Sequence, residues 1–244
     1  MNLKKIPLWI VDNPILSTAI ILVITAFFAL QLPRLEIDSS SEGLMVEKDP
    51  ARLYYEDIKK KFGSDNLTVI VLKSQNVFTT EILESIQRLS NSLQSSPRVS
   101  RVESLTTVNN IKGEGDFLNT DPLVGAEVPK EKEKVEKIRS DALQNNIFVG
   151  NIVSKDGKVA AINAYTETKA GDKNFNPNFT RLVDSLIEKE KREGVEIYQV
   201  GTPLTKVTLG EYIQADMVWL VPFAIAFLFL TLFIAFRTFQ GVAI

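Results

Sequence analysis

The sequence contains neither cysteine nor histidine. Without cysteine it cannot form disulfides or thiolate metal sites, and the redox state of its compartment cannot be inferred. Without histidine it lacks the commonest general base, the commonest metal ligand and the usual pH switch. It also has no glycine-rich phosphate loop and no recognisable nucleophile–base pair. We therefore expect no enzymatic activity, no catalytic residues, no metal site and no cofactor.

A strong excess of one charge is missing as well, since 28 Lys and Arg nearly balance 30 Asp and Glu. Residues 35–216 hold 29 of the acidic and 24 of the basic residues, a net charge of −5. This composition offers no basic surface for nucleic acid, and we expect no such partner. The alternating charges of Lys130–Lys137 are typical of a solvated helix face.

Two long runs have no charged side chain: residues 13–33, with 21 residues, and residues 217–236, with 20. As helices, each would span about 30 Å, the thickness of a bilayer's hydrocarbon core. A cleaved signal peptide is the alternative for the first run, but its apolar part is long and no A-x-A-like site follows. A buried core helix is the alternative for the second, but that run has no polar face. We expect two transmembrane helices, with Pro222 tolerated one turn inside the second.

The flanking charges predict the orientation of these spans. Lys4 and Lys5 precede the first span and Arg237 follows the second, whereas acidic residues dominate the other flanks. By the positive-inside rule, both termini are expected in the cytoplasm. The predicted organisation is a cytoplasmic N-terminus (1–12), a span (13–33), an extracytoplasmic α/β domain (34–216), a second span (217–236) and a cytoplasmic tail (237–244) that stops before a third span. The expected location is the cytoplasmic membrane.

The middle segment alternates between strand and helix patterns. The predicted strands are Leu67–Leu72, Val99–Leu105, Ile147–Val153, Lys158–Tyr165 and Val195–Val200. The first predicted helix is capped by Thr79 or Thr80, is stopped by Pro97 and has the apolar stripe Ile82, Ile86, Leu89 and Leu93. The other predicted helices run from Lys130 to Leu143 and from Pro177 to Glu193. Asp156 and Gly157 predict a tight hairpin turn. The Gly, Asp, Asn and Pro residues of segment 109–128 predict an irregular insertion. This order fits an α+β, ferredoxin-like βαββαβ domain with an additional strand and an inserted helix, whose sheet has one face covered by helices and one face free.

Several short motifs occur in order around this span–domain–span layout. They are Leu35–Asp38, Lys48–Pro50, Tyr55-Glu56, Phe62-Gly63, Leu67–Leu72, Asp121–Val124, Asn145–Ile162, Gly201–Pro203, Glu211, Asp216 and Phe236–Gly241. Together they resemble the N-terminal part of an RND-superfamily exporter of the MMPL or Patched-like kind. The resemblance implies proton-driven export of lipidic or amphiphilic molecules taken from the outer leaflet by a porter-type domain. It also implies partners in the lipid bilayer and in further spans of the same transporter, where the proton relay would lie.

The resemblance supplies candidate positions with structural or coupling roles: Asp38, Gly63, Asp156, Gly157, Gly201, Pro203, Glu211, Asp216, Pro222 and Arg237. For Glu211 and Asp216 the alternative is ordinary flank charges in water, and for Asp38 it is a turn-forming acid. For Asp156 and Gly157 it is turn chemistry. Phe117, Phe175 and Phe179 are candidates for lining a lipid path, with core packing as the alternative.

Two other functions fit a domain between two spans. One is a structural regulator like the polysaccharide chain-length regulators, which needs a very long helix that this pattern lacks. The other is a sensor, which needs an output domain and therefore requires either a partner chain or a truncation of this one.

Overall fold

The computed structural model describes residues 12–31, 49–62, 66–114, 117–167, 172 and 174–237. Its chain divides into two units, Ser40–Leu209 and the combination of Met1–Ser39 with Gly210–Ile244. The strands are β1 (Asn66–Lys73), β2 (Val99–Glu103), β3 (Lys112–Glu114), β4 (Phe117–Asn119), β5 (Val159–Thr166) and β6 (Glu196–Gly201). The helices are α1 (Pro14–Ala29), α2 (Pro50–Phe62), α3 (Thr80–Gln94), α4 (Lys132–Gln144), α5 (Phe175–Glu190) and α6 (Thr202–Phe236).

Four strands form an open sheet in the order β2-β5-β1-β6, and each neighbouring pair is antiparallel. Burial alternates along β1: Thr68, Ile70 and Leu72 are fully buried, while the residues between them are partly exposed. This period of two places alternate side chains on opposite faces of the sheet. The fold class is therefore mixed α/β with an open antiparallel sheet that has a buried face and a more exposed face.

The helices α3 and α5 cover the buried face. The α3 helix begins where predicted, because the Thr79 hydroxyl accepts a hydrogen bond from the Ile82 backbone N–H at 3.3 Å, which satisfies one of the free donors at a helix start. Its buried apolar stripe is the predicted set of Ile82, Ile86, Leu89 and Leu93. The same core receives Val183 and Ile187 from α5.

The insertion between β2 and β5 is more ordered than predicted. It contains the β3–β4 pair and the helix α4, whose Val135, Ile138 and Ala142 are buried. The inserted helix is thus confirmed, and part of the segment predicted to be irregular is a short antiparallel pair.

The predicted strand Ile147–Val153 is wrong, and the additional strand of the hairpin does not form. This segment turns on itself, and it is joined to β5 by the isolated bridge of Val153 to Ala160 and by a hydrogen bond from the Asn163 side chain to Asn151. Asn145 causes the turn, because its carbonyl accepts from Phe148 N–H at 3.0 Å and its side chain accepts from Ile147 N–H at 2.9 Å. Moreover, β2 already occupies the same edge of β5 from Asn163 to Thr166.

The two apolar helices differ in length. Among the described residues, Thr202–Ala235 is the one helix long and apolar enough to cross a membrane, with a mean hydropathy of 2.6 over its best window and none of that window buried. It starts 15 residues before the predicted span at 217. The helix α1 has 16 residues, fewer than the 21 predicted, and part of the first run lies outside the described residues. The prediction of two spans stays a prediction.

Candidate substrate-contact surface and strand-to-helix junction

The face of the sheet turned away from α3 and α5 has an apolar central part. Strand register aligns Val69 with Val200 and Val71 with Tyr198, so these side chains share one face. Tyr198 and Val200 are 52% and 47% exposed. We call the apolar part of this surface the open face, and it consists of Leu67, Val69, Val71, Ala161, Tyr165, Tyr198 and Val200. Asn163 lies opposite Val69 on the same face, but it is buried and donates a hydrogen bond to Asn151 at 3.1 Å. A sheet face of this kind can contact an apolar ligand or another protein surface.

A small polar cluster borders the open face at the start of β6. The Tyr198 hydroxyl donates to Glu196 at 2.6 Å, and Lys73 Nζ lies 3.2 Å from the same carboxylate. The Tyr198 hydrogen bond, followed by Lys73, lowers the pKa of Glu196. The same bond raises the pKa of Tyr198, so its phenol stays neutral at physiological pH.

A second cluster lies at the other border of the open face. Arg101 lies over the Tyr165 ring with its guanidinium carbon 4.3 Å from the ring centroid. Glu103 accepts from the Tyr165 hydroxyl at 3.2 Å and pairs with Arg101 at 3.2 Å. Burial, and secondarily the Glu103 charge, raises the pKa of Tyr165. The Tyr165 phenol is therefore neutral, and the arginine is held over its ring by a cation–π contact.

A groove of about 330 Å³ adjoins this second cluster at the β2 edge. Its lining residues are Arg101, Val102, Glu103, Thr107, Val108, Asn109, Ile111, Asn145, Ile147 and Phe148. Two of them, Ile111 and Ile147, are 53% and 68% exposed. We call this feature the edge groove; it has the size of a small binding cleft and combines apolar walls with one charged pair.

The junction between β6 and α6 depends on Gly201. Its φ of +125° lies in a region that side-chain-bearing residues rarely adopt, and a Cβ there would lie 2.2 Å from the Leu67 carbonyl oxygen. The helix α6 begins at the next residue, with Pro203 in its first turn, where the missing proline N–H costs nothing. The Thr205 hydroxyl donates to the Gly201 carbonyl at 3.0 Å. The motif Gly201–Pro203 therefore changes strand into helix without an intervening loop.

Asp156 and Gly157 form the predicted turn. The Asp156 carboxylate accepts from the Ser154 hydroxyl at 2.6 Å and from the Lys158 N–H at 3.1 Å, and the first of these bonds lowers its pKa. Gly157 has a φ of +69° and lies against the Phe78 ring. Both residues are explained by turn chemistry.

Phe175 and Phe179 lie in the domain core. They are 8% and 4% exposed and stack with centroids 5.5 Å apart. The Arg98 guanidinium lies 5.4 Å from the Phe175 centroid. Their packing role is confirmed, and a role in a lipid path stays a prediction.

The other predicted positions are not brought together in one site. Glu211 and Asp216 are exposed on α6, Pro222 lies inside that helix and Arg237 follows its last turn with a φ of +50°. Phe117 lies in β4. Asp38, Gly63 and the side chain of Phe117 lie outside the described residues. Their proposed coupling roles stay predictions.

Sequence reasoning missed the residues that form the open face and the edge groove. Alternation in Val195–Val200 could have placed Tyr198 and Val200 together on one face. The pairing of Arg101 with Tyr165 could not have been found, since it depends on the contact of β2 with β5 across more than sixty residues. Within the described residues no group of three or more acidic side chains is placed to hold a metal ion.

Comparison with known proteins places these features in a family context. The model of the MMPL family matches residues 50–244, which include the sheet, the edge groove, the junction and α6. A curated protein of Methanocaldococcus jannaschii whose name calls it a membrane protein is 20% identical over 244 residues, covering 96% of this chain. The chain spans 60% of the length of that relative.

Proposed function

The chain belongs to the MMPL family, and from this premise we propose that it is the N-terminal module of an RND-type membrane exporter of lipids or other amphiphilic molecules. The observation that carries the proposal is the extent of the family match, which runs from the domain through the whole of α6. Export by the complete protein would be driven by the proton gradient, and the relay would lie in further spans of the same transporter.

The proposal includes two membrane spans and an extracytoplasmic domain. The exposed apolar residues of α6 support a lipid environment, because each large side chain removed from water contributes about 1.5–3 kcal/mol. The uncharged run at 13–33 and the basic residues Lys4, Lys5 and Arg237 support the second span and the orientation.

The proposed domain type is ferredoxin-like. If β1, β2, β5 and β6 are counted as strands 1 to 4 of the main sheet, their spatial order is 2-3-1-4. One helix follows strand 1 and another precedes strand 4, after strand 3. This is the arrangement of two interlocked split βαβ units. The segment with α4 is then an insertion between the second and third strands.

The open face and the edge groove are the proposed contact surfaces for the cargo. Tyr198, Val200 and Ile147 expose apolar surface, and Arg101 and Glu103 add polar groups beside it. A molecule with an apolar chain and a polar head would match this combination.

Single cysteines test the topology, because the natural chain has none and background labelling is absent. Ser92 is exposed on α3 and Arg237 is exposed at the end of α6. We expect an impermeant maleimide to label Ser92→Cys on intact cells, and to label Arg237→Cys only after permeabilisation. The reverse pattern would refute the orientation.

Photo-crosslinking in cells tests the cargo surface. We expect p-benzoylphenylalanine in place of Tyr198 or Ile147 to form adducts with a lipid or another amphiphile, identified by mass spectrometry. The same probe in place of Glu133, exposed on α4, is the control. Equal adducts at all three positions, or none at the two test positions, would reject the open face and edge groove as cargo contacts.

A further inference from the structure

The helix-covered face of the sheet changes character along its strands. Toward the end of β1 its side chains are apolar, with Ile70 and Leu72 fully buried. Nearer the junction with α6 polar side chains enter this face: Thr68 lies opposite Gly201 in the register, and Gln199, two residues before Gly201, lies opposite Ile70 and diagonal to Thr68. The helix-covered face therefore has an apolar end and a polar end.

The helix above it changes in the same direction. Residues Asn176, Thr180, Val183 and Ile187 follow one stripe of α5, so this stripe is polar in its first half and apolar in its second. The short turn between α5 and β6 reverses the chain, which places the first half of α5 above the end of β6. The polar half of this stripe thus lies over the polar end of the sheet, while Phe175 and Phe179 of the same half pack in the core.

Five polar atoms in this region are buried without a direct partner. The hydroxyls of Thr68 and Thr180, both amide atoms of Gln199 and the Asn176 side-chain oxygen each expose less than 1 Å² and have no hydrogen-bond partner among the described residues. They come from the adjacent strands β1 and β6 and from α5, which packs on β6. We call this region the polar seam.

The five atoms are neutral donors and acceptors, and they offer no countercharge to an ion. Buried polar groups are nearly always hydrogen-bonded, and those without protein partners are usually satisfied by internal water. Water suits this set, since it donates two hydrogen bonds and accepts two, and hydroxyl and amide groups can complement both roles. We infer that the polar seam is a hydration site, in which ordered water joins α5 to β1 and β6.

The two ends of α5 are then held in different ways. At its last residue, Glu190 accepts from Arg88 Nε and Nη2, both at 2.8 Å, and this ties α5 to α3 directly. At its first half, water carries the bonds. Water-mediated contacts can be remade in a shifted position without exposing apolar groups, so the seam is the part of the helix–sheet interface best able to adjust beside the junction.

Water-to-methyl NMR contacts on the full chain in lipid nanodiscs test the inference. We expect cross-peaks from water to the methyl groups of Thr68 and Thr180. Thr166 is the matched control, because it is fully buried and its hydroxyl bonds the Asn66 carbonyl and accepts from the Asn66 amide, both at 3.0 Å. Its hydroxyl proton also exchanges with water, so cross-peaks no stronger at Thr68 and Thr180 than at Thr166 would overturn the hydration site.

A stability measurement tests the inference independently, because the two alternatives shift the unfolding midpoint in opposite directions. If the Thr180 hydroxyl bonds water, Thr180→Val removes a satisfied hydrogen bond and lowers the urea concentration at which the domain unfolds. If that hydroxyl is dry and unpaired, the same change removes an unfavourable group and raises this concentration. Thr and Val have similar helix propensities, so the backbone contribution is small. An unchanged or raised midpoint would overturn the inference.

Discussion

The domain and the apolar helix α6 use the same kinds of side chain in opposite surroundings. In the domain, Ile70 and Leu72 are fully buried by other protein groups. In α6, Phe223 and Leu228 are 71% and 57% exposed. In the domain the fold itself removes these side chains from water, whereas the apolar side chains of α6 need a surrounding medium other than water. The overall hydrophobic content of 45% therefore combines two regions whose apolar side chains have different surroundings.

Polar groups follow the same division. Charged residues of the domain form ion pairs between different elements, such as Arg88 with Glu190 and Lys73 with Glu196. In α6 no charge occurs from 217 to 236, so no pairing is needed there. Residues of the two regions should therefore respond differently to the same substitution.

The largest effect is expected when one acidic residue is placed in each region. Ile70→Asp buries an unpaired carboxyl and should cost about 4 kcal/mol or more, enough to unfold the domain while the chain stays in the membrane. Leu228→Asp should leave the domain folded and disfavour membrane insertion of α6 by about 3 kcal/mol. Protease resistance reports the first outcome, and outside labelling of an added Arg237→Cys reports the second.

Leu228→Ala is the control for the α6 arm and should leave both readouts unchanged. If Leu228→Asp unfolded the domain, the contrast between the two regions would be wrong, because α6 side chains would then be part of the domain core.

The next largest effect is expected at the residue where the two regions join. Gly201→Ala should lower the free energy of unfolding by about 3 kcal/mol, since the added Cβ meets the Leu67 carbonyl in addition to the unfavourable φ. Gly150 also has a positive φ, of +86°, but a Cβ there would have no neighbour within 4 Å. Gly150→Ala should therefore cost about 1 kcal/mol. Pulse proteolysis in urea measures both, and equal losses would contradict the steric argument.

Much of the fold could be predicted from local patterns. The short β-branched run Leu67–Leu72 predicted β1, and a threonine cap followed by an apolar stripe predicted α3. The hairpin prediction failed at Ile147–Val153 because β2 competes for the same edge of β5, and a pairing between distant segments leaves no local pattern. Hydropathy identified α6 only from residue 217, because charged residues such as Lys206 and Asp216 make the first part of that helix too polar to be recognised as part of an apolar run.

The candidate site was less accessible to sequence reasoning. The sequence predicted a free face of the sheet, but the membership of that face requires register, which Val69 and Val200 acquire only through the β1–β6 pairing. The role of Gly201 appeared in the sequence only as a motif. Its reason is the close approach of the Leu67 carbonyl, a contact between residues far apart in the chain.

A smaller and pH-dependent effect is expected at the Arg88–Glu190 pair. The hydrogen bond from Arg88 lowers the pKa of Glu190. A lowered pKa stabilises the folded state above the ordinary glutamate pKa of about 4.3, and this stabilisation is lost as the pH falls through the folded value. Glu190→Gln should therefore cost about 2 kcal/mol at pH 7, with allowance for the half-exposed Arg88.

The difference between Glu190→Gln and the natural chain should shrink as the pH falls below about 4.3. Denaturation midpoints measured from pH 7 to pH 3 check this. Glu188→Gln, on the exposed side of the same helix, is the control and should change the midpoint little. A pH-independent loss for Glu190→Gln would show that packing, and not the ion pair, carries the effect.

The smallest predicted effect concerns how a water-facing helix begins. Because the Thr79 hydroxyl accepts from the Ile82 N–H, Thr79→Ala should lower the free energy of unfolding by about 1 kcal/mol, while Thr79→Ser keeps the bond and most of the stability. Asn174 precedes α5 without a side-chain cap bond, so Asn174→Ala should cost clearly less. Urea denaturation followed by far-UV circular dichroism measures all three variants. Equal losses at Thr79 and Asn174 would mean that neither side chain acts through the helix start, and that α3 is fixed by its buried stripe alone.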